Sequence, residues 1–303
     1  MFALLRLGAL YLLFLVCFVI GSLPVANALP DGARSEPGLV SPAAGLLIIA
    51  LVNVLVIGAL VLTSHWRGWR LALALGLAYY GAVTMLPQIE TWYFLSSLTV
   101  DRGLLWRLFV MGVPPAFVFI PLAVRILGRW RGGTGPGRAY ASDVPVSAWM
   151  WRAAALAIAY VAIYWTAGYF IAWQNPELRA FYGQPGPPQP FVTHTMHVAR
   201  SNPALFAFQF VRGLLWVLCA LPVIRGSGVD RWATALLVAL LFSLPQNVGQ
   251  ILANPLMPSA SVRASHMIET ACSTFVFGLL VAWLLPPASG IPSAHQLSTR
   301  RYS

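Results

Sequence analysis

The chain of 303 residues contains no lysine and few charges of either sign: only 9% of its residues are charged, and all 19 basic residues are arginine. Soluble domains carry about 25% charged residues, so this composition excludes an ordinary soluble protein. The net charge of +11 does not indicate nucleic-acid binding. Most arginines lie at the ends of apolar runs, where they set topology and contact lipid head groups. We therefore expect the lipid bilayer as a partner, and no nucleic acid.

Cysteine is also scarce. Cys17, Cys219 and Cys272 each lie inside an apolar segment, and none belongs to a Cys-x-x-Cys pair. This pattern excludes a disulfide framework and a thiolate metal site, and it is typical of small buried apolar side chains.

Long apolar runs are abundant: 59% of the residues are hydrophobic and the mean hydropathy is +0.75. Runs of about 20 residues match the thickness of a bilayer core. Only a helix satisfies its own backbone groups across such a run. The sequence therefore predicts an all-α, polytopic transmembrane helical bundle of about eight spans, at 4–24, 43–63, 71–95, 104–126, 152–173, 203–224, 232–252 and 264–285. We expect a break near Pro87 in the third span and a kink at 112–115 in the fourth.

Short sequence matches predict that the spans form two parallel four-helix repeats. Leu-Pro-Gln occurs at 86–88 and at 244–246, and Phe-Val-Phe occurs at 117–119 and at 275–277; both pairs are 158 residues apart. Because each repeat has an even number of spans, the two would face the same way. The expected organisation is a first repeat at 1–128, a cytoplasmic Arg/Gly-rich linker at 129–150, a second repeat at 151–286 and a cytoplasmic tail at 287–303.

The first apolar run has a second interpretation. Arg6, the apolar stretch and Ala-Asn-Ala at 26–28 also fit a cleaved signal peptide over residues 1–28. The repeat favours a retained span, because the run 7–19 corresponds to 153–170 in the middle of the chain. Both interpretations stay open at this point.

The arginines predict the orientation. Eight spans with both termini in the cytoplasm place twelve arginines on the cytoplasmic side, at positions 6, 67, 70, 125, 129, 131, 138, 152, 225, 231, 300 and 301. Five fall on the other side, at 34, 102, 179, 200 and 263. This excess predicts an integral protein of the cell (inner) membrane with cytoplasmic ends.

Polar and ionisable side chains inside spans are costly and therefore indicate candidate sites. With this topology they converge on the outer part of the bundle. Gln246, for example, lies 14 residues beyond Trp232, which is about 21 Å along a helix and within the outer third of a core about 30 Å thick. The candidate ligand-binding residues are Glu90, Gln88, Arg212, Gln246, Asn247, Gln250 and Glu269.

These carboxylates also have a structural interpretation. Arg107 and Arg212 are expected at a similar depth to Glu90 and Glu269, and buried ion pairs can simply fix the register of helices. The sequence leaves a ligand site and a packing contact equally open.

A weaker pattern suggests a divalent metal. His194, His197, His266 and Glu269 form two pairs spaced by three residues, which suits two ligands on one face of a helix, and Glu90 could act as a base on a bound water. The alternative is favoured: His194 and His197 lie in a wet interfacial loop, and His266 caps the eighth span.

No motif fixes a reaction or a substrate, and the oligomeric state is undetermined. The favoured hypothesis is a protein that binds or transports a small solute or ion through a polar site near the outer face. The alternatives are a metal-dependent membrane-embedded enzyme acting on a lipid or peptide, and a structural or accessory membrane subunit.

Overall fold

The computed structural model of the chain describes residues 2–29, 35–132 and 146–285. Every regular element in these ranges is helical, and eight of the helices are long and apolar enough to cross a membrane. The helices are α1 (Phe2–Ala26), α2 (Pro42–Thr63), α3 (Gly68–Leu95), α4 (Arg102–Ile126), α5 (Val146–Ala172), α6 (Pro176–Phe181), α7 (Phe191–Ser201), α8 (Pro203–Gly226), α9 (Arg231–Ile251) and α10 (Ala260–Leu284). The chain is thus a multi-pass membrane protein, as predicted. Most of the expected linker and all of the expected tail lie outside the described residues.

Polar caps set where the spans begin. Asp101 Oδ1 accepts the Leu104 N–H at 2.8 Å before α4, and Ser259 Oγ accepts the Val262 N–H at 3.4 Å before α10. Such caps satisfy backbone donors that the first helical turn leaves free. Ser259 caps α10 about two turns ahead of His266, so the expectation that His266 caps this span is wrong.

The loops group into two faces. The long-loop face joins its segments by backbone contacts: Glu36 N–H donates to the Pro258 carbonyl at 2.9 Å, and Leu39 N–H donates to the Ile251 carbonyl at 2.8 Å. On the opposite, short-loop face, Gly68 N–H donates to the Arg129 carbonyl at 3.0 Å. The long-loop face consists of 27–29, 35–41, 96–101, 173–202 and 252–259, and the short-loop face consists of 64–67, 127–132 and 227–230.

The helices pack in a pattern that is the same in both predicted repeats. In the first, α1 packs on α2 and α4, and α3 packs on α4; in the second, α5 packs on α8 and α10, and α9 packs on α10. Between them, α2 packs on α9 and α3 on α8. This arrangement supports two related halves, although the duplication itself remains a prediction.

The turns after α2 and α8 meet directly at the short-loop face. Ser64 and Ser227 form an antiparallel bridge. Its backbone hydrogen bonds run from His65 N–H to the Gly226 carbonyl at 2.9 Å and from Gly228 N–H to the Thr63 carbonyl at 2.8 Å. The two halves are therefore joined there by main-chain contacts.

Regular α-helix is interrupted in the middle of the bundle and toward the long-loop face. Gly81–Met85 in α3 is π-helical immediately before the Pro87 turn, and α4 breaks at Gly112 ahead of a π-helical Pro115–Phe119. Both interruptions were expected from proline. A π-helical Gly168–Ala172 in α5 and a 3₁₀ turn at Val248–Ile251 in α9 were not. Interruptions of this kind free backbone and side-chain positions for a site.

The region of the bundle next to the short-loop face is regular and densely packed. Val61, Leu71, Val124 and Val238 are completely buried there. Gly278 lets α10 approach α9 so closely that a Cβ atom at this position would lie 2.6 Å from the Ala239 Cα. The resulting core is mostly apolar and tight.

Candidate functional site

A cavity of about 650 Å³ lies between the two predicted repeats, in the part of the bundle next to the long-loop face. All eight spans contribute lining residues, and α6 and α7 cover it at the long-loop face. Pockets that hold small molecules measure about 300–1,000 Å³, so this one has a suitable size.

The structure brings six of the seven candidate ligand-binding residues together in the wall of this cavity: Gln88, Glu90, Gln246, Asn247, Gln250 and Glu269. The seventh, Arg212, lies behind Glu90 and is buried. Residues from α3, α9 and α10 thus become neighbours, as the topology predicted. Their role in binding a ligand remains a proposal.

Glu90 and Arg212 form an ion pair that joins α3 to α8. Arg212 Nη2 lies 2.6 Å from Glu90 Oε2, and Arg212 Nη1 donates to Gln209 Oε1 at 2.8 Å. The Arg212 side chain is 3% exposed and that of Glu90 is 16% exposed. For this carboxylate the packing interpretation is realised. Arg107 was the wrong partner, because its exposed guanidinium reaches the Pro24 carbonyl at 3.4 Å instead.

Glu269 is in a different situation. It is 3% exposed, and its Oε1 has no hydrogen-bond partner. Its Oε2 lies 3.6 Å from His266 Nδ1, which exceeds the usual 2.7–3.2 Å range of a hydrogen bond. A carboxyl group with an unpaired oxygen inside a membrane protein is costly and indicates function.

Two amides share this lack of partners. Gln88 Oε1 and Gln250 Oε1 are buried without a hydrogen bond, and both side chains line the same cavity as Glu269. More than nine in ten buried polar groups are normally paired. Three unpaired acceptors on side chains of one cavity wall are therefore an unusual feature of this site.

Other polar side chains of the wall are already engaged. Asn247 donates to the Ser243 carbonyl at 2.7 Å, and its Oδ1 lies 2.5 Å from the Thr270 hydroxyl. Gln246 Nε2 donates to the Phe242 carbonyl. These two candidates shape the wall and have less free bonding capacity than Gln88 or Gln250.

A hydrogen bond that the sequence analysis missed lies at the deep end of the cavity. The Tyr79 hydroxyl donates to Asn53 Oδ1 at 2.5 Å, and Asn53 Nδ2 donates to the Ile49 carbonyl at 2.8 Å. Both side chains are buried and line the cavity. A single Asn within the apolar run 43–63 was the available signal, since polar residues are rare in spans.

The cover of the cavity is helical, which corrects the prediction that His194 and His197 lie in a loop. His194 is buried on α7 and stacks on Trp165, with 5.5 Å between ring centroids and 11° between ring planes. Burial, and to a smaller extent the neighbouring His197, lower the pKa of His194 below 6.5. His194 is therefore mainly a neutral aromatic contact near pH 7.

The four candidate metal ligands are not gathered into one centre. In the described ranges, no three His, Cys, Asp or Glu side chains lie close enough together to hold a metal ion. His266 and Glu269 form a loose pair on α10, whereas His194 belongs to the aromatic cluster of the cover. The geometry gives the metal hypothesis no support.

Aromatic rings form much of the remaining wall. Those toward the long-loop face come from α3, from the end of α5 and from the residues that directly follow α5 and α6: Phe94, Tyr164, Trp165, Tyr169, Trp173 and Tyr182. The cavity therefore combines a few unpaired polar atoms with flat apolar surfaces, which is the usual character of small-molecule sites.

Fold and cavity together define a class: a multi-pass α-helical membrane protein with a small-molecule-sized cavity between its halves. Comparisons of the chain with protein-family models, curated proteins and solved structures found no match. The activity must therefore be argued from the site alone.

Proposed function

We propose that this protein binds a small molecule or ion that enters from the non-cytoplasmic side, and that it acts as a receptor or transporter. The protein would reside in the cell membrane with both termini in the cytoplasm, so that the long-loop face is the outer one. The single observation that carries the proposal is the cavity with three buried, unpaired polar atoms in its wall.

The one-sided distribution of polar groups supports entry from the long-loop face. The cavity ends at the buried Tyr79–Asn53 pair, and beyond it the core is mostly apolar. A ligand that entered from the short-loop face would have to cross this dry core. Transport would require the two halves to separate at the short-loop face, where the Ser64–Ser227 bridge holds them together. A receptor needs no such opening.

Neither alternative function has comparable support. An enzyme acting on a lipid or peptide would need a group of catalytic or metal-binding side chains, and the described wall gathers only the loose His266–Glu269 pair. A purely structural role would account for the Glu90–Arg212 ion pair, but it does not explain why the Glu269 oxygen is unpaired.

Thiol labelling in intact cells tests the proposal. Cys17, Cys219 and Cys272 are first replaced by Ala, and single cysteines are then introduced at Gln250 in the cavity, at exposed Ser97 on the long-loop face and at buried Thr234 near the short-loop face. A small membrane-impermeant thiol reagent should label the Gln250→Cys and Ser97→Cys proteins but not the Thr234→Cys protein. Labelling of Gln250→Cys only after permeabilisation would contradict the proposal.

A further inference from the structure

The ionisable groups of the cavity wall do not balance in charge. Apart from tyrosines, those among its described lining residues are two carboxylates, Glu90 and Glu269, and three histidines, His194, His197 and His266; none is an arginine. Arg212 neutralises Glu90 from behind the wall. The remaining carboxyl group, Glu269, has no arginine within ion-pair distance among the described residues.

The hydrogen-bonding character of the unpaired atoms points the same way. Glu269 Oε1, Gln88 Oε1 and Gln250 Oε1 are all acceptors, and all are buried in the wall of one cavity. A ligand that pairs these oxygens must supply donors. An ammonium group carries three N–H donors and one positive charge, and so satisfies both requirements.

The aromatic part of the wall decides between an inorganic and an organic cation. Ca²⁺ takes about six to eight oxygen ligands, and Mg²⁺ usually binds with several waters. The Glu269 side of the wall offers one free carboxylate, but the rings of Tyr164, Trp165 and Tyr182 lie in the same cavity. Aromatic faces attract organic ammonium groups by cation–π contacts and also pack on a carbon skeleton.

We infer that the cavity binds a small organic amine as its cation, with the ammonium group on Glu269 and the carbon skeleton against the aromatic wall. This inference rests on the proposed outer-face binding function and specifies its ligand class. Glu269 is then the residue that recognises charge, while Glu90 and Arg212 hold α3 against α8.

Two thiol reagents of opposite charge test whether the cavity prefers a positive or a negative molecule, without knowledge of the natural ligand. The Gln250→Cys protein, without its native cysteines, is labelled with trimethylammonium-ethyl methanethiosulfonate and with sulfonatoethyl methanethiosulfonate. Ser97→Cys is the exposed reference. Rates are measured at about pH 7 and about pH 9, because a carboxyl group attracts the cationic reagent only when it is ionised, and a higher pH favours ionisation. We expect the cation-to-anion rate ratio at Gln250→Cys to exceed that at Ser97→Cys by about tenfold or more.

Matched carboxylate variants assign the effect to one residue. Adding Glu269→Gln to Gln250→Cys should return the ratio to the Ser97→Cys value. Adding Glu177→Gln should leave it unchanged, because Glu177 is exposed on α6 and does not line the cavity. A ratio that survives Glu269→Gln would overturn the assignment.

Failure of the inference and failure of the proposed function give different results. Rapid labelling of Gln250→Cys by both reagents, with a ratio equal to that of Ser97→Cys, leaves the accessible site intact and removes the preference for a cation. Slow labelling by both reagents would show that the cavity is not reached from outside, which contradicts both the proposed function and the amine ligand.

A protection experiment covers the case in which Glu269→Gln does not fold. Phenethylammonium and phenethyl alcohol differ in charge but share the same ring and a similar length. Protection of Gln250→Cys by phenethylammonium alone supports the inference. Equal protection by the two compounds, or protection by neither, contradicts it.

Discussion

The two regions of the bundle, one next to each face, are built from the same spans but differ in how these spans pack. Next to the short-loop face, the spans are regular, apolar and in close contact, as at Gly278 against Ala239. Next to the long-loop face, π-helical and 3₁₀ segments interrupt the spans and surround a cavity. The unpaired acceptors of the cavity wall lie in the second region, whereas the first supplies dense packing. The comparison suggests a division between a stabilising region and a binding region.

The ion pair at the edge of the cavity gives the largest expected effect. Arg212→Met leaves the Glu90 carboxylate without its partner, and breaking a buried pair in this way costs about 3–5 kcal/mol. Replacing both residues, as in Glu90→Gln with Arg212→Met, should cost far less because no uncompensated charge remains. Thermal unfolding of the purified variants in detergent measures both. Equal losses for the single and double variants would show that the pair is not an interdependent unit.

A glycine in the region next to the short-loop face gives the next largest expected loss of stability. Gly278→Ala places a Cβ atom 2.6 Å from Ala239 Cα and 2.8 Å from Ala239 N, so backbone must move. Overpacking of this kind costs about 1–3 kcal/mol. Gly58→Ala is the matched control, because a Cβ atom there meets nothing within 4 Å. Unfolding temperatures that fall equally for both variants would contradict the close packing of α9 and α10.

Paired and unpaired polar groups of the cavity wall should contribute differently to stability. Tyr79→Phe removes the donor to Asn53 Oδ1 and leaves a buried acceptor unsatisfied, at an expected cost of about 1–3 kcal/mol. Gln250→Met instead removes an acceptor that has no partner, so we expect little change or a small gain in stability. The two unfolding temperatures, measured without ligand, compare the regions directly. A larger loss for Gln250→Met would contradict the comparison.

The cover of the cavity gives the smallest effect, and it depends on pH. The pKa of His194 in the folded protein is below 6.5, the value of the free side chain, so the unfolded chain binds more protons between these two values. The stability contributed by neutral His194 is complete above 6.5 and falls as the pH drops through this interval. His194→Phe should reduce that fall in a pH series of unfolding temperatures. An unchanged pH dependence would contradict the neutral stacking on Trp165.

The sequence predicted the spans well because hydropathy and length are local properties. All eight predicted spans correspond to helices, although the predicted start of the eighth, at 264, came later than Ala260 because hydropathy ignores the Ser259 cap. The proline-associated breaks in α3 and α4 were also predictable. The π-helical turn at Gly168 was not, because no proline or polar residue marks it.

The site was predictable in composition but not in its pairing. The depth of each residue follows from the topology, and this was enough to collect Glu90, Gln250 and Glu269 around one cavity. Depth could not show that Arg212 faces Glu90 while Arg107 turns to the Pro24 carbonyl near the end of α1. That choice depends on how each helix is rotated, which is set by packing across the whole bundle.

The bridge between Ser64 and Ser227 has a consequence for how such a protein can evolve. Its two inter-turn N–H donors and carbonyl acceptors belong to the main chain, and the tightest constraint on residue type is at Gly228, where a Cβ atom would lie 2.9 Å from the Thr63 carbonyl oxygen. If the predicted repeats descend from a duplication, the other residues of these turns can drift while the join persists. Drift is then tolerated where the chain supplies only backbone, and selection can act on the far end, where Glu90 corresponds to Val248 and Glu269 to Met111 at the 158-residue spacing.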